Sequence, residues 1–172
     1  MVKAMRGVSD EIIMDIHLCV ERPARYIKSL AQSGANCVIF QFEAMGCLEE
    51  AIELAREIQS NGMKCGLSIN PKTGVKDIEP LLESVSFDIV DILAVEPGFG
   101  GQKFQVNALE KVKQLREWAD THNVDLRLMV DGGINKDTSS LVRAAGADIL
   151  VAGTFLFRHD KSIAEGAKEL LV

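Results

Sequence analysis

Three groups of residues in this sequence could do chemistry. Asp131 closes an apolar run, LRLMV, and is followed at once by Gly132 and Gly133. A carboxylate at the end of a buried strand is costly to desolvate unless it is paired or bound to a metal. Capping a helix is its other use, since KDTSSLV follows, but Asn135 and Asp137 stand better for that job. His17 lies inside IIMDIHLCV, two residues after Asp15, and in a strand the two side chains share a face. A lone strand histidine is commonly a hydrogen-bonded core residue. With Asp131 as partner, His17 becomes part of an N/O site for a divalent transition metal. The third group is a set of glycine-bearing turns, GFGGQ (98–102), DGGIN (131–135) and AGT (152–154). Backbone N–H groups left bare by glycine make a cradle for a phosphate, helped by the N-terminus of a short helix. Each turn alone could be no more than a tight bend, but each ends an apolar run in the same way.

These groups need a scaffold that brings strand ends together. Apolar, strand-like runs at 12–20, 36–42, 63–69, 88–95, 125–130 and 148–153 alternate with helical patterns such as CLEEAIELAREIQSNG (47–62) and VNALEKVKQLREWADTH (106–122). The phrase SGANCVIF is echoed in NGMKCGLSI and AGADILVAG, as a glycine helix cap, a short turn and a strand. Repeats of about 30 residues predict six βα units of a parallel sheet with crossover helices. The runs are almost continuously apolar, so the strands are expected to be buried on both faces. An open doubly wound sheet and a (β/α)8 TIM-type barrel both fit this pattern. Polar or glycine residues follow most of the strands (Glu43, Asn70, Glu96, Asp131, Gly153), which suits the C-terminal rim of a barrel.

Bulk properties exclude several classes. The 172 residues, 47% hydrophobic, suffice for one domain, taken as 1–172, with a sizeable core. A formal net charge of -6 argues against general nucleic-acid or membrane-surface binding. No apolar run reaches the roughly 18 residues of a membrane span, and MVKAMRGVSDE lacks a signal peptide's apolar core. Cys19, Cys37, Cys47 and Cys65 form no C-x-x-C pair, and the three in apolar runs read as small buried hydrophobes of a reducing, cytoplasmic protein. Trp118 is expected to pack, and His122 and His159 fall in polar contexts that require no special role.

The motifs VEPGFGGQKF (95–104), MVDGGIN (129–135), DIHLCV (15–20) and VAGT (151–154) together resemble the D-ribulose-5-phosphate 3-epimerase family, from about Val2 to the end of the chain. The resemblance implies a phosphate-binding (β/α)8 barrel that interconverts ribulose 5-phosphate and xylulose 5-phosphate. The expected cofactor is a divalent metal, zinc or iron(II), with manganese or cobalt as further candidates. One carboxylate would remove the C3 proton, the metal would stabilise the enediolate, and a second carboxylate would return a proton to the opposite face. By this resemblance His17 and Asp131 are metal ligands, and Asp131 is also the catalytic acid/base. Gly100, Gly101, Gly132, Gly133, Gly153 and Thr154 are the phosphate cradle, and Pro97, Gly98 and Phe99 belong to a loop that closes over substrate.

The same resemblance implies departures. The family's first two βα units are expected to be missing, and with them a metal histidine and the aspartate that is both ligand and second acid/base. Glutamine stands at 41 where the family has histidine, Asn70-Pro71-Lys72 replaces lysine-proline-glycine, and Cys19 and Leu93 replace methionines. Loss of a positioned acid/base costs about 10²–10⁴ in rate, so the lone chain is expected to be nearly inactive unless Asp15, Glu43 or Glu96 substitutes. Two other readings follow. One is a catalytically inactive homologue or isoform that binds phosphosugar or pairs with a full-length relative. The other is an epimerase or lyase acting on a different ketose phosphate. An incomplete barrel leaves two raw strand edges, which predicts a homo-oligomer or association with such a relative.

Overall fold

A computed structural model describes residues 1–171. The chain forms two compact units, one of Met1–Ser68 with Lys76–Ile89, the other of Ile69–Val75 with the residues from Val90 onward. The first unit carries α1 (Val2–Arg6), β1 (Asp15–Leu18), α2 (Ile27–Gln32), β2 (Cys37–Gln41), α3 (Leu48–Ser60), all of β3 (Lys64–Ile69) but its last residue, and most of α4 (Val75–Ser84). The second carries β4 (Ile89–Leu93) from Val90, α5 (Asn107–His122), β5 (Arg127–Asp131), α6 (Lys136–Ala144), β6 (Ile149–Val151), α7 (Gly153–Phe157) and α8 (Ile163–Leu170). All six expected strand–helix pairs therefore form. In the first unit β1, β2 and β3 pair in parallel and in chain order, with His17 opposite Ile39 and Gln41 opposite Ser68. In the second, β4, β5 and β6 also lie in chain order, with Asp131 opposite Val151. Neither unit reverses its strand order, as a doubly wound sheet must at its switch point.

One local device recurs at the strand starts. The polar residue just before β2, Asn36, donates its N–H to Met14 O at 3.0 Å and accepts from Met14 N through Oδ1 at 2.9 Å. Asp88, before β4, does the same with Cys65, at 2.8 and 3.0 Å. Asp148, before β6, repeats it on Leu128, with both bonds at 2.8 Å. Each closes a two-bond ring that fixes where its strand begins against another. An arginine clamps two of these turns. Arg6 Nη2 donates to Gly34 O at 2.7 Å and Asn36 Oδ1 at 2.8 Å, while Arg116 Nη2 donates to Gly146 O at 3.0 Å and pairs with Asp148. Gly34 (φ +84°) and Gly146 (φ +110°) adopt backbone that residues with a Cβ rarely enter. The repeated glycine in SGAN and AGAD is thus the helix terminator expected from sequence, and the Asn or Asp two residues later is the register pin.

Burial is complete in the middle strands and partial at the ends. All five residues of β2 and of β4 are buried, but Asp15 is exposed in β1 and the rest of that strand, like all of β6, is only half-buried. Sequence predicts burial on both faces throughout. β1 has one neighbour, β2, and β6 has one, β5, and each is buried less than the strand it pairs with. The run 12–20 yields only Asp15–Leu18, and Cys19, expected to be a buried hydrophobe, lies past the strand end and is exposed. Cys37 and Cys65 are buried as expected. Trp118 is 9% exposed and stacks on His122 with ring centroids 4.4 Å apart. Asn135, not Asp131, caps α6: its Oδ1 accepts from Asp137 N and Thr138 N in a full capping box.

The register pins lead to a stability expectation. Asp148→Ala removes the acceptor of both Leu128 N–H and the Arg116 guanidinium, and should lower the unfolding free energy by about 1–3 kcal/mol. Asp148→Asn keeps an oxygen for Leu128 N–H and should cost less. Urea unfolding of the two variants beside the parent protein checks the order.

Candidate active site

The glycine-bearing turns meet in the second unit. Asp131 is the last residue of β5, half-buried, and its carbonyl accepts from Ala94 N at 2.7 Å just past β4. Ala94 O in turn accepts from Gln105 N at 2.8 Å, which ties the return of the 95–104 loop to the same strand end. Gly132 (φ +109°) and Gly133 (φ +66°) follow Asp131. A Cβ on Gly132 would stand 2.5 Å from Val95 Cγ2, and one on Gly133 would stand 2.6 Å from the Phe104 backbone, so neither position admits a side chain. Gly100 lies against Thr154: a Cβ there would be 3.4 Å from Thr154 Oγ1, and one on Gly101 3.9 Å. All three turns read from sequence therefore come together around the ends of β4, β5 and β6. Gly153 and Thr154 are the first residues of α7, a short helix where a turn was expected, and both are exposed. Pro97, Gly98 and Phe99 are exposed at the loop tip, Phe99 at 73%. Gln102 Nε2 holds that tip by donating to Glu96 O at 2.6 Å and Phe99 O at 2.9 Å.

Sequence reasoning missed one residue of the site. Asp91 stands in the middle of β4, IVDIL, 1% exposed, and carries a carboxylate oxygen within 4.8 Å of one from Asp131. If both are ionised they repel by roughly 3–4 kcal/mol at an effective dielectric near 20, a repulsion that a proton or a cation between them would relieve. The signal was present, since a charge inside FDIVDILAV invites the argument made for Asp131. A second missed residue is Lys111 of α5, 8% exposed, whose Nζ donates to Asn70 O at 2.8 Å and Pro71 O at 2.7 Å. It pins the turn after β3, where a helical lysine reads from sequence as a solvated charge.

His17 lies in the first unit, half-buried in β1. Its Nε2 is 2.9 Å from Gln41 Oε1, and Cys19 Sγ lies 3.5 Å from the same nitrogen. The candidate substitutes for a lost acid/base are exposed: Asp15 at the start of β1, Glu43 beyond β2 and Glu96 on the loop. Burial pushes the Cys65 thiol well above its usual range, which removes it as a nucleophile. Imidazole nitrogen and carboxylate oxygen are the donors that zinc, iron(II), manganese and cobalt accept. The chemistry of Asp91 and Asp131 fits such an ion, which would relieve the repulsion between the two carboxylates, and the His17 imidazole, in its own unit, offers a donor of the kind these ions accept.

With this geometry in hand, comparisons with known proteins agree in one direction. The model of the ribulose-phosphate 3 epimerase family matches residues 1–157. The chain is 41% identical over 157 residues to ribulose-phosphate 3-epimerase of Bacillus subtilis (strain 168), covering 91% of this chain and 70% of that one. It is 42% identical over 158 residues to the Schizosaccharomyces pombe protein of the same name, covering 91% and 65%. Among solved structures it superposes on a 3-hexulose-6-phosphate synthase with a TM-score of 0.75 at 16% identity, over 98% of this chain and 77% of that one. The fold is thus the TIM-barrel type, with six βα units present.

The glycine geometry can be tested directly. Gly133→Ala forces a Cβ onto the Phe104 backbone at positive φ and should cost more than about 2 kcal/mol, the sum of backbone strain and displaced neighbours. Gly62→Ala, at φ +79° with nothing within 4 Å, should cost about 1 kcal/mol. Chemical denaturation of the two variants separates close approach from positive φ alone.

Proposed function

The chain belongs to the ribulose-phosphate 3-epimerase family, and from that premise we propose that it interconverts D-ribulose 5-phosphate and D-xylulose 5-phosphate. The observation that carries this reading is Asp131, half-buried at the end of β5 and set between the Asp91 carboxylate and two glycines that admit no side chain. In this reading the substrate phosphate rests on the backbone of Gly100, Gly101, Gly132, Gly133 and Gly153 and on Thr154. Those N–H groups neutralise charge without a bulky side chain in the way. The Pro97–Phe99 tip folds over the bound sugar and excludes water.

Asp131 takes the proton from C3, and a second acid returns one to the opposite face, as inversion requires; exposed Glu96, on the loop of the same unit, is the proposed donor. Asp131 is the better base of the two aspartates because it is half-exposed, whereas Asp91, at 1% exposure, is out of reach of a substrate. Asp91 and Asp131 would hold a divalent ion, zinc or iron(II), with manganese or cobalt able to replace them, and His17 is proposed as a metal ligand on the family resemblance. When bound, the ion supplies Lewis-acid stabilisation to the oxygens that become anionic as the proton leaves. The chain is proposed to serve a cytoplasmic enzyme and to work as a homo-oligomer or beside a relative of the same family. Among the described residues no helix is long and apolar enough to cross a membrane.

The test is nuclear magnetic resonance of ribulose 5-phosphate in deuterium oxide, with the chain supplied with zinc or iron(II). Deuterium should enter at C3, xylulose 5-phosphate should accumulate, and Asp131→Asn should slow both by about 10²–10⁴. Exchange that proceeds equally in the variant would overturn the assignment of Asp131. Absence of both signals from folded, metal-loaded protein would leave phosphosugar binding as the function of this chain.

A further inference from the structure

Asn107 and Lys111 of α5 hold the turn that follows β3, and the proposed reaction gives neither a role. Asn70 to Thr73 form a tight turn, with Thr73 N donating to Asn70 O at 3.1 Å and the buried Pro71 fixing the backbone at the second position. Asn107 and Lys111 stand four residues apart, so their side chains leave the same face of α5. Lys111 Nζ donates to Asn70 O at 2.8 Å and to Pro71 O at 2.7 Å, and Asn107 Nδ2 donates to Pro71 O at 3.2 Å. Two adjacent carbonyls thus accept two donors each, and the shared donor is an ammonium on a residue only 8% exposed. Burying a charge is costly, so the grip on this turn is stronger than a solvated surface contact would give.

The same end of α5 continues into the loop that bears Gly98, Gly100 and Gly101. Ala108 N donates to Gln105 O at 3.1 Å, Gln105 N to Ala94 O at 2.8 Å, and Ala94 N to Asp131 O at 2.7 Å. Every residue in this series, from Asn70 to Asp131, belongs to the second unit. A hydrogen-bonded path therefore runs from the turn after β3, through α5 and the returning limb of the loop, to the strand end that carries Asp131. Phe104 lies on that limb, buried, and its backbone is what leaves no room for a side chain at Gly133. The spacing of Phe104 and Gly133 is therefore only as fixed as the limb, and the limb is tied to α5.

We infer that Lys111 and Asn107 are positioning residues for the phosphate cradle: by gripping the 70–73 turn they fix the start of α5, and with it the approach of Phe104 to Gly133. For its effect on binding the inference rests on the phosphate reading above, whereas the positional coupling exists with or without a ligand. An ammonium suits the task because it reaches two carbonyls at once and makes charge-assisted bonds, roughly twice as strong as neutral ones.

The test uses the full chain labelled with nitrogen-15 glycine, whose amide cross-peaks report each glycine separately. Lys111→Met keeps about the same length and removes the donors. It should displace the peaks of Gly100, Gly101, Gly132 and Gly133 and leave those of Gly34 and Gly62, in the first unit, in place. Asn107→Ala, at an exposed position, should displace the same four peaks by less, and supplies the readout should Lys111→Met not fold. Titration with ribulose 5-phosphate should show affinity about tenfold lower in Lys111→Met, the worth of one charge-assisted hydrogen bond. Val112→Ala controls for a purely structural role. Val112 is 0% exposed in the same helix, and its truncation removes packing but no donor. It should lower the urea midpoint while the four peaks and the affinity stay near parental. Unmoved cradle peaks in Lys111→Met and Asn107→Ala, equal displacement in Val112→Ala, or parental affinity in folded Lys111→Met would each overturn the inference. If the peaks respond as expected but the parent protein binds no ribulose 5-phosphate, the coupling stands and the phosphate reading is what fails.

Discussion

Where each strand begins is the constraint on which the remainder of this protein depends. Successive side chains of a strand point to opposite faces, so a slip of one residue would exchange the whole set. Were β5 to slip, Asp131 would leave its position beside Asp91, and a slip of β2 would carry Gln41 away from His17. The rings made by Asn36 on Met14, Asp88 on Cys65 and Asp148 on Leu128 oppose this at the strand starts. They act at the opposite ends of the strands from Asp131, Gln41 and the glycine turns. A hydrogen-bonded ring that stabilises one end thereby sets the geometry at the other, which is how a βα unit separates stability from chemistry.

At the functional ends the opposite policy holds, with local cost accepted. Gly132 and Gly133 adopt positive φ, and two carboxylates are held within 4.8 Å in the same unit. Such features persist where the surroundings over-determine them. The five buried residues of β4 and the apolar body of β5 supply that determination, since Ile89, Val90, Ile92, Leu128 and Val130 are all at most 3% exposed. The loop tip at Pro97–Phe99 is the converse, exposed and held through the two hydrogen bonds of Gln102 rather than by buried packing.

The legibility of the site in the sequence followed the surroundings of each residue. Asp131 stood out because it ends an apolar run and precedes two glycines, and the structure puts it at a strand end against a second aspartate. The three glycine turns were readable because bare backbone is rare and specific. Asp91 offered the same kind of contrast but no glycine beside it, and so passed as one charge in a strand. Lys111 could not have been found, because the atoms it binds are backbone carbonyls of a turn some forty residues away. The partial burial of β1 and β6 was equally hidden, since apolar content alone does not say which strand has only one neighbour.

By itself the sequence determined the alternation of strand and helix, the helix-ending glycines, the α6 cap at Asn135 and the family motifs. All of these are written in short windows, through backbone propensity and side chains that bond within a few residues. Only the tertiary structure decided that Asp91 approaches Asp131, that Gly100 abuts Thr154, that Arg6 and Arg116 clamp equivalent turns, and that Glu43 reaches His17 through Gln41. Each of these joins elements apart in sequence. Their distances follow from strand register and packing, which no local window contains.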